Sequence, residues 1–189
     1  MTARVADYGR HGDVEVRRWI ESDADALRLA ILGSIDHLRP YMPWTDDWLA
    51  PGFDPVAIIA EWTGYWETGG ELFAGIFVGG EVVGSTGLRN RVGPGKLEVG
   101  YWLAADRVGR GVATVAAGIV TDLAFRDPLI EAVQIIHEAS NARSAGVPRR
   151  LGYRLLGTFP GTGIQTPVDY PACIWEVSRA DWAGYASRA

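Results

Sequence analysis

The sequence predicts a single domain of the mixed α/β class. Its 189 residues are about the size of one domain. Apolar residues make up 48 % of the chain and charged residues 22 %, as in ordinary globular proteins. Strand-like and helix-like patterns follow in the order strand, two helices, three strands, helix, strand, helix, two strands. This order mixes hairpin connections with one or two strand–helix–strand crossovers, which indicates a mixed sheet.

The first half of the chain carries clear start and stop signals. Residues 1–13 are expected to form a flexible N-terminal tail, which leaves residues 14–182 as the single domain. Prolines end the first helical pattern, and Asp54 followed by Pro55 marks the start of the next helix. These signals predict a strand at 14–19, a helix at 24–38, an aromatic loop at 40–53 and a helix at 55–67.

The second half begins with a hairpin signal, because Gly79-Gly80 joins two apolar runs. A third strand follows, and a glycine-rich turn then leads into a strongly apolar helix that ends near Phe125. Gly152 is a natural stop for the last helix. The predicted elements are strands at 71–78, 81–89, 96–104, 133–138, 153–159 and 172–178, and helices from about 112 to 125 and 141 to 151.

Composition excludes several classes of protein. The net charge is −5 with no block of like charges, so no nucleic-acid partner is expected. No apolar run reaches the ~18 residues of a membrane span, and the first residues do not read as a signal segment, so no membrane partner is expected. Cys173 is the only cysteine and cannot form an internal disulfide, which favours the cytoplasm. The three histidines and this cysteine have no metal-ligand spacing, so no metal is expected.

The segment Arg107-Val-Gly-Arg-Gly-Val-Ala113 is the motif most informative about chemistry. Glycines let a ligand approach the backbone, and the helix start that follows offers free N–H groups and a positive dipole end. Together they predict an anion site suited to a pyrophosphate. No lysine of an NTPase phosphate loop is present, and Thr114 replaces the third glycine of a dinucleotide fingerprint. The expected ligand-binding residues here are Arg107, Val108, Gly109, Arg110, Gly111, Val112, Ala113 and Thr114.

Four blocks in matching order resemble the GNAT acyltransferases, and within them the RimJ/RimL-type subgroup. Gly111 and Ala113 match the family's phosphate-loop pattern Gln/Arg-x-x-Gly-x-Gly/Ala, although Val108 replaces its leading residue. The other blocks are Glu98-Val-Gly-Tyr-Trp-Leu103, Asn141-x-x-Ser144 followed by Leu151-Gly-Tyr153, and Leu38-Arg-Pro-Tyr-Met-Pro-Trp44. The resemblance covers residues 14–180.

The resemblance implies a GNAT fold: a central, splayed, mostly antiparallel sheet flanked by helices. The sheet would open between strands 97–103 and 133–138, and the pantetheine arm of an acyl-CoA would pair there with the backbone of Trp102 and Leu103. Asn141 would hold the arm from the other side. The co-substrate implied is acetyl-CoA or another acyl-CoA, and the acceptor is a primary amine on a protein N-terminus or a small molecule. A homodimer is possible.

The same resemblance singles out two residues for proton transfer. Glu98 is the first candidate for the base that takes the amine proton through a water, although a surface strand carboxylate is the alternative. Ser144 is the candidate donor to the departing sulfur, or else a first-turn serine that satisfies backbone N–H groups. The tyrosine that donates this proton in many GNAT members is replaced by Pro148.

The aromatic loop is the expected mouth for the acceptor. Trp44, Asp46, Asp47 and Trp48 are predicted to line it, with the carboxylates attracting a cationic amine; packing between helices is the alternative. Two other functions stay open from the sequence. One is a non-catalytic acyl-CoA sensor or interaction module with the same fold. The other is an enzyme acting on a nucleotide phosphate.

Overall fold

One eight-stranded sheet organises the chain. The computed structural model describes residues 6–160 and 171–185. The strand order is β1-β2-β3-β4-β5-β6-β8-β7, and every neighbouring pair is antiparallel except β5 and β6. The strands are β1 Tyr8–His11, β2 Val14–Arg18, β3 Leu72–Val78, β4 Glu81–Arg89, β5 Lys96–Leu103, β6 Ala132–Glu138, β7 Arg154–Phe159 and β8 Ala172–Ser178. The predicted mixed α/β class and the mostly antiparallel sheet are confirmed.

Helices cover the two faces of the sheet. They are α1 Ala24–Leu32, α2 Ile35–Leu38, α3 Pro55–Glu67, α4 Val112–Ala124 and α5 Ala142–Arg150. On one face, α4 and α5 pack over a large core that includes the side chains of Leu97, Val99 and Leu103. On the other face, α1 and α3 pack over a smaller core that includes Trp102. Successive side chains of β5 therefore point into different cores, as the two-residue period of a strand requires.

Local signals in the sequence account for the helix start and the hairpin. The carboxylate of Asp54 accepts a hydrogen bond from the N–H of Val56 at 2.8 Å, which caps α3 directly before Pro55. Gly79 and Gly80 have φ angles of 60° and 84°, in the left-handed region that a tight two-residue hairpin needs. Both predictions from the sequence are confirmed.

Two predictions about the first fifty residues are wrong. Residues 8–11 are not part of a flexible tail, because they form β1 and pair antiparallel with β2. The helix predicted over 24–38 is broken at Gly33 and Ser34 into α1 and α2. At the break the Ser34 hydroxyl accepts a hydrogen bond from the N–H of Ala105 at 3.0 Å. The break between α1 and α2 thus coincides with a contact to residue Ala105, and the apolar periodicity of residues 24–38 did not predict it.

An ion pair fastens the start of α1 to the sheet. The carboxylate of Asp23 accepts two hydrogen bonds from Arg17, at 2.6 and 2.9 Å, and one from the N–H of Ile20 at 3.0 Å. Burial acts to raise the pKa of Asp23, but the hydrogen bonds from Arg17 and Ile20 and the Arg17 charge lower it below its ordinary value.

We expect Asp23→Asn to lower the free energy of unfolding by about 1–2 kcal/mol at pH 7. A carboxyl group whose pKa is lowered in the folded state stabilises the fold above its unfolded pKa. That contribution is lost as the pH falls through the pKa of Asp23 in the folded state. The difference in unfolding free energy between Asp23→Asn and the wild type therefore shrinks below pH ~4. Guanidinium chloride unfolding at several pH values measures it, with the exposed Asp25→Asn as the control. A difference in unfolding free energy that grows towards acid pH would contradict the lowered pKa of Asp23 in the folded state.

Candidate active site

The pairing of β5 with β6 stops halfway along both strands. These parallel strands are in register from Lys96 opposite Ala132 to Val99 opposite Ile135. Beyond this point β5 continues along β4 as far as Leu103, and β6 continues along β8 as far as Glu138. The edge of β5 after Val99 is therefore not paired with β6, which leaves a gap where an extended ligand can add to the sheet. The predicted splay and its position are confirmed.

The start of α4 presents a row of free backbone donors. The N–H groups of residues 108–113 donate to no acceptor among the described residues, whereas those of Thr114 and Val115 donate to the Gly111 carbonyl. Gly109 and Gly111 have φ angles of 78° and 80°, and no atom lies within 4 Å of a Cβ built on either residue. An exposed helix start with unpaired N–H groups is a site for an anion such as a pyrophosphate.

The arginines near this helix start differ in their partners. Arg107 donates to Glu81 at 2.7 Å and lies 3.2 Å from Asp106, so its guanidinium is already held by two carboxylates. This geometry does not support its predicted role as a phosphate ligand. Arg110 is exposed and makes no ion pair within the described ranges. Arg150 of α5 donates to the Thr114 hydroxyl at 3.2 Å, which brings a second cation to the first turn of α4.

On the α5 side of the gap, Ser144 is held by a tyrosine that the sequence analysis did not single out. The Tyr101 hydroxyl lies 3.1 Å from the carbonyl oxygen of Ser144 and 3.0 Å from its hydroxyl. Burial raises the pKa of Tyr101 to about 12, although the Ser144 hydrogen bond and the Arg150 charge lower it. Asn141 caps α5, because its side-chain oxygen accepts from the Ser144 N–H at 3.0 Å. The one signal for Tyr101 in the sequence is its position in the Glu98–Leu103 block.

Glu98 lies on the opposite face of the sheet from Tyr101. Its side chain is buried, with a residue exposure of 3 %, and its two oxygens accept hydrogen bonds from Arg91 at 2.7 Å each. It is therefore not the exposed strand carboxylate that was the alternative interpretation. Gly100 lies two residues after Glu98 and on the same face of the sheet. A Cβ built on Gly100 meets no atom within 4 Å. Open space thus adjoins the point where the two strands part, on the Glu98 side.

The aromatic loop is a 3-10 helix, Pro43–Leu49, with accessible and buried side chains. The half-buried Trp44 ring lies 6.2 Å from the Trp102 ring, and Asp46 and Asp47 are exposed. Asp46 accepts from Arg39 at 2.9 Å. The prediction that Trp48 lines the acceptor mouth is wrong, because it is 4 % exposed and its ring packs 4.5 Å from that of Phe53.

No group of three or more histidine, cysteine, aspartate or glutamate side chains within 6–160 and 171–185 is placed to bind a metal ion. Among the described helices, none has the length and apolar character needed to cross a membrane.

Known proteins are similar to this chain in sequence. Residues 13–154 match the family described as "Acetyltransferase (GNAT) domain". The "Putative ribosomal N-acetyltransferase YdaF" of Bacillus subtilis is 25 % identical over 173 residues, which are 90 % of this chain and 94 % of that protein.

Two solved structures are similar in fold. RimJ of Mycobacterium smegmatis, in complex with CoA-disulfide, has a TM-score of 0.77 at 21 % identity, over 93 % of this chain and 86 % of that one. The microcin C7 self-immunity acetyltransferase MccE, in complex with acetyl-CoA and AMP, has a TM-score of 0.80 at 20 % identity, over 89 % of this chain and 93 % of that one.

The two arginines before α4 give a matched pair of variants. We expect Arg110→Gln to weaken coenzyme A binding about five- to tenfold, because it removes the one charge-assisted contact, worth ~1–1.5 kcal/mol, that the sequence predicts for Arg110. Arg107→Gln should change the affinity less than twofold, since its guanidinium is held by Glu81 and Asp106. Isothermal titration calorimetry with coenzyme A measures both. An equal or larger loss in Arg107→Gln would contradict the different roles assigned to these residues.

Proposed function

Because this chain belongs to the GNAT acetyltransferase family, we propose that it transfers an acetyl group from acetyl-CoA to the N-terminal amine of a protein. Family membership makes it an acyl-CoA-dependent N-acyltransferase, as the sequence predicted. The finer choices, an acetyl group and a protein acceptor of the ribosomal class, are supported by the relative YdaF, whose similarity extends over 90 % of the chain.

The observation that carries the proposal is the combination of a free helix start with an adjoining gap in the sheet. The unpaired N–H groups of residues 108–113 suit the pyrophosphate of the co-substrate. The backbone of Trp102 and Leu103 borders the gap and suits the pantetheine arm, which would add to β5 like a strand. Arg110 and Arg150 add positive charge to the same region. The described residues thus fit an acyl-CoA, whose thioester supplies the activated acyl group.

The two faces of the sheet suit the two partners of the reaction. On the Glu98 side, open space beside Gly100 leaves room for the acceptor amine. On the α5 side, the Ser144 hydroxyl borders the gap. An amine must lose a proton as it attacks the thioester, and the departing thiolate is stabilised by a hydrogen-bond donor. We assign the first role to Glu98, acting through a water, and the second to Ser144.

The hydrogen bonds from Arg91 limit how Glu98 can interact with the acceptor. A carboxylate offers about four lone-pair positions, and the two hydrogen bonds from Arg91 use two of them. The remaining positions can accept hydrogen bonds from a water or from an acceptor ammonium group. The ion pair thus keeps Glu98 in one orientation while leaving it able to interact with the amine.

The expected acceptor surface lies on the same face of β5 as this carboxylate. The Trp44 ring lies 6.2 Å from the Trp102 ring on this face, and the exposed Asp46 and Asp47 follow Trp44 in the same 3-10 helix. Their carboxylates would attract a cationic N-terminus. A ribosomal acceptor and the absence of an internal disulfide both favour the cytoplasm as the place of reaction. A homodimer and the lack of a nucleic-acid partner stay predictions.

A panel of acceptors tests the proposed function. Purified protein is incubated with acetyl-CoA and three sets of acceptors: peptides with free N-termini from ribosomal proteins, the same peptides N-acetylated, and small primary amines. We expect release of coenzyme A and a gain of one acetyl group at the α-amine of the free peptides alone. Turnover with the small amines only would contradict the proposed acceptor. Binding of acetyl-CoA without turnover on any amine would instead support the sensor hypothesis.

We expect Glu98→Gln to lower kcat/KM about 100-fold, because the group that takes the amine proton is lost. Glu176→Gln is the matched control: this carboxylate is also ion-paired, with Lys96 at 2.7 Å, but lies on β8. Steady-state kinetics measures both variants, and thermal unfolding shows whether the loss of an ion pair has disturbed the fold. An unchanged rate in folded Glu98→Gln would remove Glu98 from the mechanism.

A further inference from the structure

We propose that Tyr101 is a positioning residue for the Ser144 hydroxyl: as coenzyme A departs, its O–H turns from the Ser144 carbonyl oxygen to Ser144 Oγ, so that the serine proton points towards the sulfur. The inference rests on the proposed function, in which Ser144 stabilises that sulfur. It concerns a residue of β5, whereas the donor familiar from many GNAT members is replaced here by Pro148 of α5.

The two residues meet across the gap. Tyr101 follows Val99, the last residue of β5 that pairs with β6, and its side chain points to the α4 and α5 face. Ser144 lies in the first turn of α5, and Asn141 holds its N–H at 3.0 Å. The phenol O–H donates to the Ser144 carbonyl oxygen at 3.1 Å, and the phenol oxygen lies 3.0 Å from Ser144 Oγ, where either atom can be the donor. The serine is therefore held at both its backbone and its side chain.

The number of protons limits how these groups can be arranged. The phenol carries one proton, which it can donate either to the carbonyl oxygen or to Oγ of Ser144. In the structure it donates to the carbonyl oxygen, which has no helical donor because Pro148 lacks an N–H. In this arrangement the phenol oxygen attracts the Ser144 proton, which then points away from the sulfur. If it donates to Oγ, the serine proton is free to donate to a thiolate. A negatively charged sulfur in the gap favours the second arrangement, and a chain of two donors strengthens both hydrogen bonds.

The protonation state of Tyr101 fits a donor that does not give up its proton. Because burial raises the pKa of Tyr101 to about 12, the phenol stays protonated at neutral pH. A thiol is a stronger acid, with an ordinary pKa of ~8.5 for cysteine, so proton transfer from this phenol to a thiolate is uphill. The pair therefore stabilises the departing thiolate by hydrogen bonding, and solvent supplies the proton once coenzyme A is released.

A double-mutant cycle tests this arrangement. We expect Tyr101→Phe and Ser144→Ala each to lower kcat about tenfold, with the KM for acetyl-CoA changed less than twofold. Because the two residues act as one unit, the double variant should be no slower than Ser144→Ala. Tyr153→Phe is the matched control: its buried hydroxyl bonds Thr121 away from the gap, so it should lower the thermal stability and leave kcat unchanged.

The outcomes separate this inference from the proposed function. If the wild type shows no turnover with any amine, the proposed function fails and takes this inference with it. If the wild type is active but the two losses multiply in the double variant, or Tyr101→Phe raises KM and leaves kcat unchanged, the proposed function stands and the positioning role is wrong.

A fluorinated tyrosine at position 101 provides a second measurement that keeps the size of the side chain. Its phenol is more acidic, so the donor is lost at a lower pH than in the wild type. Because the pKa of Tyr101 in the wild type is about 12, we expect kcat of the fluorinated variant to decline at an alkaline pH where kcat of the wild type is unchanged. An alkaline profile identical to that of the wild type would overturn the proposal, even if Tyr101→Phe does not fold.

Discussion

The site depends on a single interruption in the sheet, the parting of β5 and β6 after Val99 and Ile135. Backbone N–H and C=O groups in a protein interior need partners, and a paired central strand normally supplies them. Here the second half of β5 lacks its neighbour on one side, so an extended ligand can take that place without breaking any existing pair. The end of β5 leads on to the free start of α4, so the surfaces proposed for the arm and for the pyrophosphate of one co-substrate adjoin each other.

The two-residue period of β5 then separates the chemistry into two sides. Glu98 and Trp102 face the core of α1 and α3, whereas Tyr101 faces α5 and Ser144. The proposed groups act on different substituents of the thioester carbon, Glu98 on the amine and Ser144 on the sulfur, and alternate positions of β5 place Glu98 and the Tyr101 that contacts Ser144 on different faces. A shift of β5 by one residue would exchange these side chains between the two faces, which is why the buried cores on both faces matter to the site.

Much of this arrangement could be predicted because its signals are local. The glycines before α4, the Asp54-Pro55 helix start and the Gly79-Gly80 hairpin each depend on the conformational preferences of a few neighbouring residues. The four family blocks predicted where the sheet opens and that the co-substrate is an acyl-CoA. The short strand β1 was not predicted, because four residues without an apolar pattern of their own become a strand only by pairing with β2. Trp48 was assigned to the acceptor mouth because an aromatic residue in a loop has the same sequence signal whether it is buried or exposed.

The class of fold, the family, the residues of the free helix start and the order of the elements from β2 onwards, apart from the break between α1 and α2, could all be predicted from the sequence. The partners of the charged and hydroxyl groups are visible only in the folded protein: Arg91 with Glu98, Glu81 with Arg107, and Ser144 with Tyr101. Helix and turn signals act over a few neighbours in the chain, whereas the Tyr101–Ser144 contact joins residues 43 positions apart. Contacts between residues so far apart in the chain depend on how the sheet and helices pack, and no spacing of residues in the sequence predicts them.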